Sequence, residues 1–128
     1  MNWTLAPHLV DDRAVRRRYA RAGAGLAHSV LLAEARNRLL ERLSYVRLDP
    51  QWVLDLGSAS VAGSRGLSRR YPQARVVGMD VNLALLAPPR RFRLPFWRSR
   101  PLRIQADGLY LPLATASVDL VFSNLMLP

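Results

Sequence analysis

The sequence contains no cysteine. That excludes disulfides and thiolate metal sites, and it fits a cytosolic protein. Histidine is scarce as well: His8 and His28 lie far apart and offer no metal-ligand spacing. Lysine is missing altogether, so all 19 basic residues are arginine. Apolar runs are short, and none approaches the roughly 20 residues a membrane-spanning helix needs. The opening stretch, MNWTLAPHLVDDR, lacks the basic-then-apolar order of a secretory signal. These absences predict a cytoplasmic protein with no metal centre and no membrane partner.

Acids are the next shortage: nine, against nineteen arginines, for a net charge of +10. Two readings of the excess stay open. One is a mutational bias toward arginine codons. The other is a polyanionic partner, either nucleic acid or an acidic carrier protein. What is present is enough apolar residue for a core: half of 128 positions. Four of the nine acids, Asp55, Asp80, Asp107 and Asp119, sit in or beside predicted strands. Carboxylates at strand tips are where an open α/β sheet keeps its ligand contacts.

The chain is organised around Trp52 to Asp80. Val53–Leu56 is an apolar run ending at Gly57, as a buried strand stopped by a tight turn would. Small residues follow from Ser58 to Ser64; Leu67 to Tyr71 suits a helix ended by Pro72. Arg75–Met79 is a second strand reaching Asp80. Strand, small-residue turn, helix, strand and acid make a βαβ unit that accepts a nucleotide-like ligand. The bare turn admits the ligand to the backbone, and the acid can accept from ribose hydroxyls.

Before this unit, Asp11 and Asp12 can cap a basic helix, and Gly23 and Gly25 interrupt it. His28 to Leu43 reads as an amphipathic helix with Leu32, Ala35, Leu39 and Leu43 on one stripe, Leu31 and Leu40 beside it, and Arg36 mostly off it. After Asp80, a short helix is predicted from Val81 to Ala87, ended by Pro88-Pro89. Residues 90–103, RRFRLPFWRSRPLR, carry six arginines and no acid, and read as a loop or broken helix. Arg103–Ala106 is a third strand closed by Asp107-Gly108; Val118–Ser123 is a fourth, with Asn124 at its tip.

With these residues in place, the chain resembles the class I S-adenosylmethionine-dependent methyltransferases from about Asp11 onward. The resemblance rests on the glycine turn at Asp55-Leu56-Gly57, the acid at Asp80, Asp107-Gly108 after strand three, and LPLATASVDLVFSN leading into strand four. The earlier stretch RRRYARAGAGLAHSVLLAEARNRLLERLSYVRLDPQWVLDLGS is similar to the start of the malonyl-acyl-carrier-protein O-methyltransferases of biotin synthesis.

The fold so implied is α/β: a Rossmann-like three-layer sandwich, here incomplete, with about four parallel strands and N-terminal helices. Residues 1–49 would form a helical lid and first helix, and residues 50–128 a partial S-adenosylmethionine-binding domain. By resemblance, Gly57 and Ser58 pass near the methionine portion of the cofactor. Asp80 binds the ribose diol with Val81 beside the adenine. Asp107 accepts from the adenine amino group, with Gly108 or Leu109 against the ring. Asn124 lies near the sulfonium, and Tyr19 belongs to the lid over the substrate. The implied reaction is methyl transfer to the free carboxylate of a malonyl group on acyl carrier protein. Transfer to RNA or a small metabolite is the alternative, as is a non-catalytic arginine-rich binding module. A nicotinamide-dependent reductase shares only the first βαβ unit.

The sequence departs from the family at two points. Where the family turn reads Gly-x-Gly-x-Gly, this one reads Gly57-Ser58-Ala59-Ser60-Val61. Either the turn takes another path, using Gly63, or cofactor binding is weakened. The family fold also continues for three further strands, so a truncated sheet with an uncovered fourth strand is expected. Asp55 and Asp119 are assigned mainly structural roles at the strand ends.

Overall fold

The computed structural model describes residues 11, 13–14, 17–18, 21, 29–86 and 101–124. Tyr19, Asp12 and most of the arginine-rich stretch of residues 90–103 lie outside the described residues. Asp11 caps as expected: its Oδ1 accepts the backbone N–H groups of Arg13 at 2.9 Å and Ala14 at 3.2 Å.

The first complete helix, α1, runs Val30–Arg42, capped by the Ser29 hydroxyl, and tightens into a 3₁₀ turn at Leu43–Tyr45. Strand β1 (Trp52–Leu56) follows, then helix α2 (Val61–Arg70) and strand β2 (Arg75–Asp80). A single helical turn, α3 (Leu83–Leu86), precedes β3 (Leu102–Gln105); β4 is Leu120–Ser123. The strands form one sheet in the order β3-β2-β1-β4, and all three pairings are parallel. Parallel neighbours need crossovers, and α2 supplies the one between β1 and β2.

Strand alternation divides the core in two. Val53, Val76 and Phe122 face one way and close on Leu67 and Tyr71, with Leu39, Leu40 and Leu43 packed over them. Leu54, Leu56, Val77 and Met79 face the other way, against Ile104, Ala106, Leu113 and Val118. The first face also carries Asp55, Asp80 and Asn124, because each lies an even number of residues from a core member of its own strand. Asp119 ties the entry to the sheet: its Oδ2 accepts the N–H groups of Gln51 and Trp52, both at 2.9 Å. That is the structural role expected of it.

Two expectations need correction. Leu31 is not beside the buried stripe: it is 70% exposed, because the helix closes on the sheet through its last turns at Leu39, Leu40 and Leu43. The turn after β1 does not use Gly63 and demands nothing unusual of Val61. Helix α2 already begins at Val61, so that residue has ordinary helical backbone, and Gly63 lies inside the helix. The fourth strand does leave apolar surface uncovered, with Val121 half exposed at the sheet margin. Among the described residues, no helix is long and apolar enough to cross a membrane.

Gly63 is needed for space. A Cβ there would fall 2.8 Å from Oδ2 of the buried Asp55, whereas one at Gly66 would meet only the mobile end of Leu40. Crowding of a fixed group costs about 1–3 kcal/mol, and the gain in helix propensity from Gly to Ala returns about 1. Gly63→Ala is therefore expected to destabilise the fold by up to about 2 kcal/mol, read as a lower urea midpoint. Gly66→Ala is expected to stay near the parent. Equal midpoints for the two variants would contradict this packing.

Candidate functional site

The site is built on the turn that joins β1 to α2. Gly57 takes a left-handed φ of 68°, and Ala59 one of 43°. The turn folds back over the tip of β2: the N–H groups of Gly57 and Ser58 both donate to the Met79 carbonyl, at 2.8 and 3.1 Å. The Ala59 N–H donates to Asp80 Oδ2 at 3.0 Å. The Ser60 hydroxyl then caps α2 by accepting from the Ala62 N–H. Ala59 thus occupies a conformation that suits glycine, at the place of the family's second glycine, while Val61 has moved into the helix.

A cleft opens beside this turn, between it, the start of α1 and the tips of β1 and β4. Leu32 and Arg36 line it from α1, Asp55 and Ser58 from β1 and its turn, Phe122 from β4 and Asn124 from just past its end. Asp55 is buried, and its Oδ2 accepts from the Ser64 hydroxyl at 2.7 Å. So it holds α2 against β1, as expected, and also presents a carboxylate to the cleft. Asn124 Nδ2 donates to the Leu32 carbonyl at 2.8 Å, joining β4 to α1. Its Oδ1 and the Ser58 hydroxyl oxygen are buried without a hydrogen-bond partner among the described residues. Buried polar atoms in that condition are matched in most proteins by water or a ligand.

The remaining expected residues lie along the same edge of the sheet, outside the cleft lining. Asp80 Oδ1 accepts the Asn82 N–H at 2.9 Å, so each carboxylate oxygen holds one backbone donor and retains acceptor capacity. Val81 follows and is half-buried, its carbonyl accepting from the Gln105 side chain. Asp80 and Gln105 are register partners across the parallel β2–β3 pair. Asp107, two residues past Gln105, therefore stands at the same end of the sheet as Asp80. Its Oδ1 accepts the Leu109 N–H at 2.9 Å in a turn that includes Gly108 and leaves Leu109 and Tyr110 exposed. Tyr19 is outside the described residues. Among the described residues no cluster of side chains could hold a metal ion.

Arg36 was missed in the sequence. Its spacing puts it mostly off the apolar stripe, yet it is half-buried and lines the cleft. The signal was present: Leu32, Arg36 and Leu40 are spaced four apart, which sets an arginine in the middle of an apolar helix column.

A family profile described as a methyltransferase domain matches residues 54–128. The chain belongs to that family. The four parallel strands with their helices are an incomplete Rossmann-like methyltransferase fold. The chain is 38% identical over 123 residues to the malonyl-[acyl-carrier protein] O-methyltransferase of Gallionella capsiferriformans, a match covering 91% of the chain and 42% of that protein. A protein of the same description from Halorhodospira halophila is 45% identical over 119 residues, with 92% of the chain and 40% of that protein covered. A third, from Methylovorus, is 40% identical over 127 residues, covering 95% and 43%. The chain thus spans about two fifths of the length of these curated relatives. No solved structure matches it.

Among the described residues, one carboxyl group is strongly displaced. Burial pushes the Asp55 pKa up from 3.8 to about 6, with the Asp80 charge adding to the rise, while the Ser64 hydrogen bonds and Arg36 oppose it. The folded state then holds a proton that the unfolded chain has released between these two values. Stability from this group is complete below about pH 4 and is lost as pH rises through about 6, on the order of 3 kcal/mol in all. Urea midpoints measured from pH 4 to pH 7 are expected to show this decline, and Asp55→Asn is expected to flatten it. An unchanged decline in the variant would assign it to another group.

Proposed function

We propose that the chain binds S-adenosylmethionine and takes part in methyl transfer to the free carboxylate of a malonyl group on acyl carrier protein, a step of biotin synthesis. One observation carries the cofactor reading. Two carboxylates, Asp80 at the tip of β2 and Asp107 two residues past β3, stand at the same end of a parallel sheet whose sequence matches a methyltransferase domain. The acceptor reading is supported by relatives named malonyl-[acyl-carrier protein] O-methyltransferase along nearly the whole chain. An excess of arginine suits an acidic carrier electrostatically.

The residues fit the cofactor. Asp80 keeps acceptor capacity for both ribose hydroxyls, because each oxygen holds only one backbone N–H. Val81 and the exposed Leu109 offer apolar surface for the adenine, and Asp107 an acceptor for its amino group. Gly57 and Ser58 would border the methionine portion, and Asn124 the sulfonium, whose orphaned Oδ1 prefers a cationic neighbour. Held by these residues, the cofactor would supply an electrophilic methyl group to an acceptor carboxylate oxygen, with a neutral thioether as the leaving group. The chain's part is to bind, orient and exclude water. No side chain has to act as nucleophile. The segment before α1, with Tyr19, would supply the lid, and residues from 50 onward the cofactor domain.

Titration calorimetry with S-adenosylmethionine, followed by transfer of a labelled methyl group to malonyl-acyl carrier protein, tests both halves. Binding with label on the carrier is the expected result. Failure to bind would overturn the cofactor reading; binding with no labelled carrier would overturn the acceptor.

The backbone of Ala59 makes a further expectation. A left-handed non-glycine residue is strained by about 1–2 kcal/mol, and Ala59 lines the cleft beside the turn, where glycine would present no side chain. Ala59→Gly is expected to tighten S-adenosylmethionine binding by about fivefold. Unchanged or weaker binding would show that the Ala59 methyl group does not face the cofactor.

A further inference from the structure

Some of the exposed arginines have an evident local use. Arg42, Arg69 and Arg70 stand in the last turns of α1 and α2, where a cation complements the negative end of the helix dipole. The arginines ahead of α1 have no such use. Arg13, Ala14, Arg17, Arg18 and Arg21 are helical and exposed, and steps of three and four residues put them on one face. Arg13 stands in the first turn, just after the Asp11 cap, where the dipole disfavours a cation. Arg13 and Arg17, and again Arg17 and Arg21, are like charges four residues apart, a spacing at which they repel. No acid nearby in the sequence relieves them. Residues 13–28 contain none, and Asp11 is engaged by the N–H groups of Arg13 and Ala14. None of the four arginines makes an ion pair among the described residues, where the surface bridge Arg38–Glu34 shows the contact that does form on α1. Arg17 Nε donates only to the Arg13 carbonyl, which occupies a single N–H of its guanidinium.

We propose that this four-arginine face is the surface on which the acyl carrier protein docks. The assignment rests on the acceptor reading above and adds the place where the carrier is received. Guanidinium groups offer paired N–H donors that match carboxylates, so an acidic protein surface relieves the repulsion the helix carries alone. The face presents no aromatic ring, and so lacks the stacking platform by which single-stranded nucleic acid is held. It is also tethered close to the site. Arg21 is eight positions before Ser29, which lines the cleft, so the two are no more than about 29 Å apart. Charges exposed in this way act mainly on the rate at which a carrier of opposite sign associates.

Surface plasmon resonance on immobilised malonyl-acyl carrier protein tests the assignment. The parent is compared with the charge-reversed double Arg17→Glu/Arg18→Glu and the neutral double Arg17→Gln/Arg18→Gln. Arg42→Glu/Arg69→Glu makes the same change of charge at the helix C-termini and serves as the control. Circular dichroism checks folding, with the neutral double carrying the comparison if the reversed one loses helix, and S-adenosylmethionine titration checks the cofactor site. The reversed double is expected to bind the carrier about tenfold more weakly or worse, mostly through slower association, and the neutral double about threefold more weakly. Both are expected to keep the parent's affinity for S-adenosylmethionine, and the control double to bind the carrier much as the parent does. Carrier binding unchanged in both doubles would overturn the assignment alone, as would an equal loss in the control, which would make net charge the cause. A labelled RNA oligonucleotide that binds the parent as tightly as the carrier, and weakens in the same doubles, would also overturn it. A parent that takes S-adenosylmethionine but no carrier would overturn the acceptor reading, and the assignment with it.

Discussion

The structure depends on a clamp between the first turn and the tip of β2. Gly57 and Ser58 donate to the Met79 carbonyl, and Ala59 donates to the Asp80 carboxylate. These bonds fix where β1 stops, which way the backbone N–H groups at the start of α2 point, and which oxygens of Asp80 remain available. Helix α2 then leans on β1 through the bond from Ser64 to Asp55, in a space only a glycine at position 63 leaves open. Loss of the clamp would leave the sheet with its parallel pairing but no shaped edge. A parallel sheet with bare ends binds nothing in particular; the turn makes this end a site.

The edge so formed is divided by charge. Toward β3 it offers the carboxylates of Asp80 and Asp107 with the exposed Leu109 between strand tip and solvent, a setting for hydroxyls, an amine and a flat ring. Toward β4 it offers Asp55, Arg36, Ser58 and Asn124 around a cleft, a setting for a compact ion. The turn stands between the two halves. An extended ligand with a nucleoside at one end and an amino acid at the other would lie across it, and Ala59 would be the residue it passes over. Burial also sets an energetic condition. Burial makes Asp55 resist ionisation, so a cationic group placed against it would recover an interaction that folding alone leaves unfavourable.

Much of this was legible in the chain. The βαβ unit could be read from Val53 to Asp80, because a short apolar run stopped by Gly57 and a second ending on an acid have few other uses. The pairing of Asp80 with Asp107 at one ligand was implied by the resemblance to class I methyltransferases, and the β2–β3 register puts both at one end of the sheet. The turn was not legible in full. A helix start is set by a cap as much as by composition, and the capping hydroxyl of Ser60 drew Val61 into α2 and removed the supposed need for a glycine there. The cleft was missed for a different reason. Arg36 and Asp55 are 19 positions apart on separate elements, and only the packing of Leu39, Leu40 and Leu43 on the sheet brings the start of α1 to the tip of β4. Tertiary contacts of that kind leave no periodic trace.

The central claim is spatial: one ligand occupies the edge from Asp55 to Asp107 and leaves the other end of the sheet alone. Backbone amide shifts of the isotope-labelled chain, followed while S-adenosylmethionine is added, test it directly. The expected result is movement at Ser58, Ala59, Ser60, Asn82, Gly108 and Leu109, with Trp52 and Arg75 at the opposite end of β1 and β2 unmoved. Shifts confined to Trp52, Arg75 and their neighbours, or no saturable shifts at all, would contradict it.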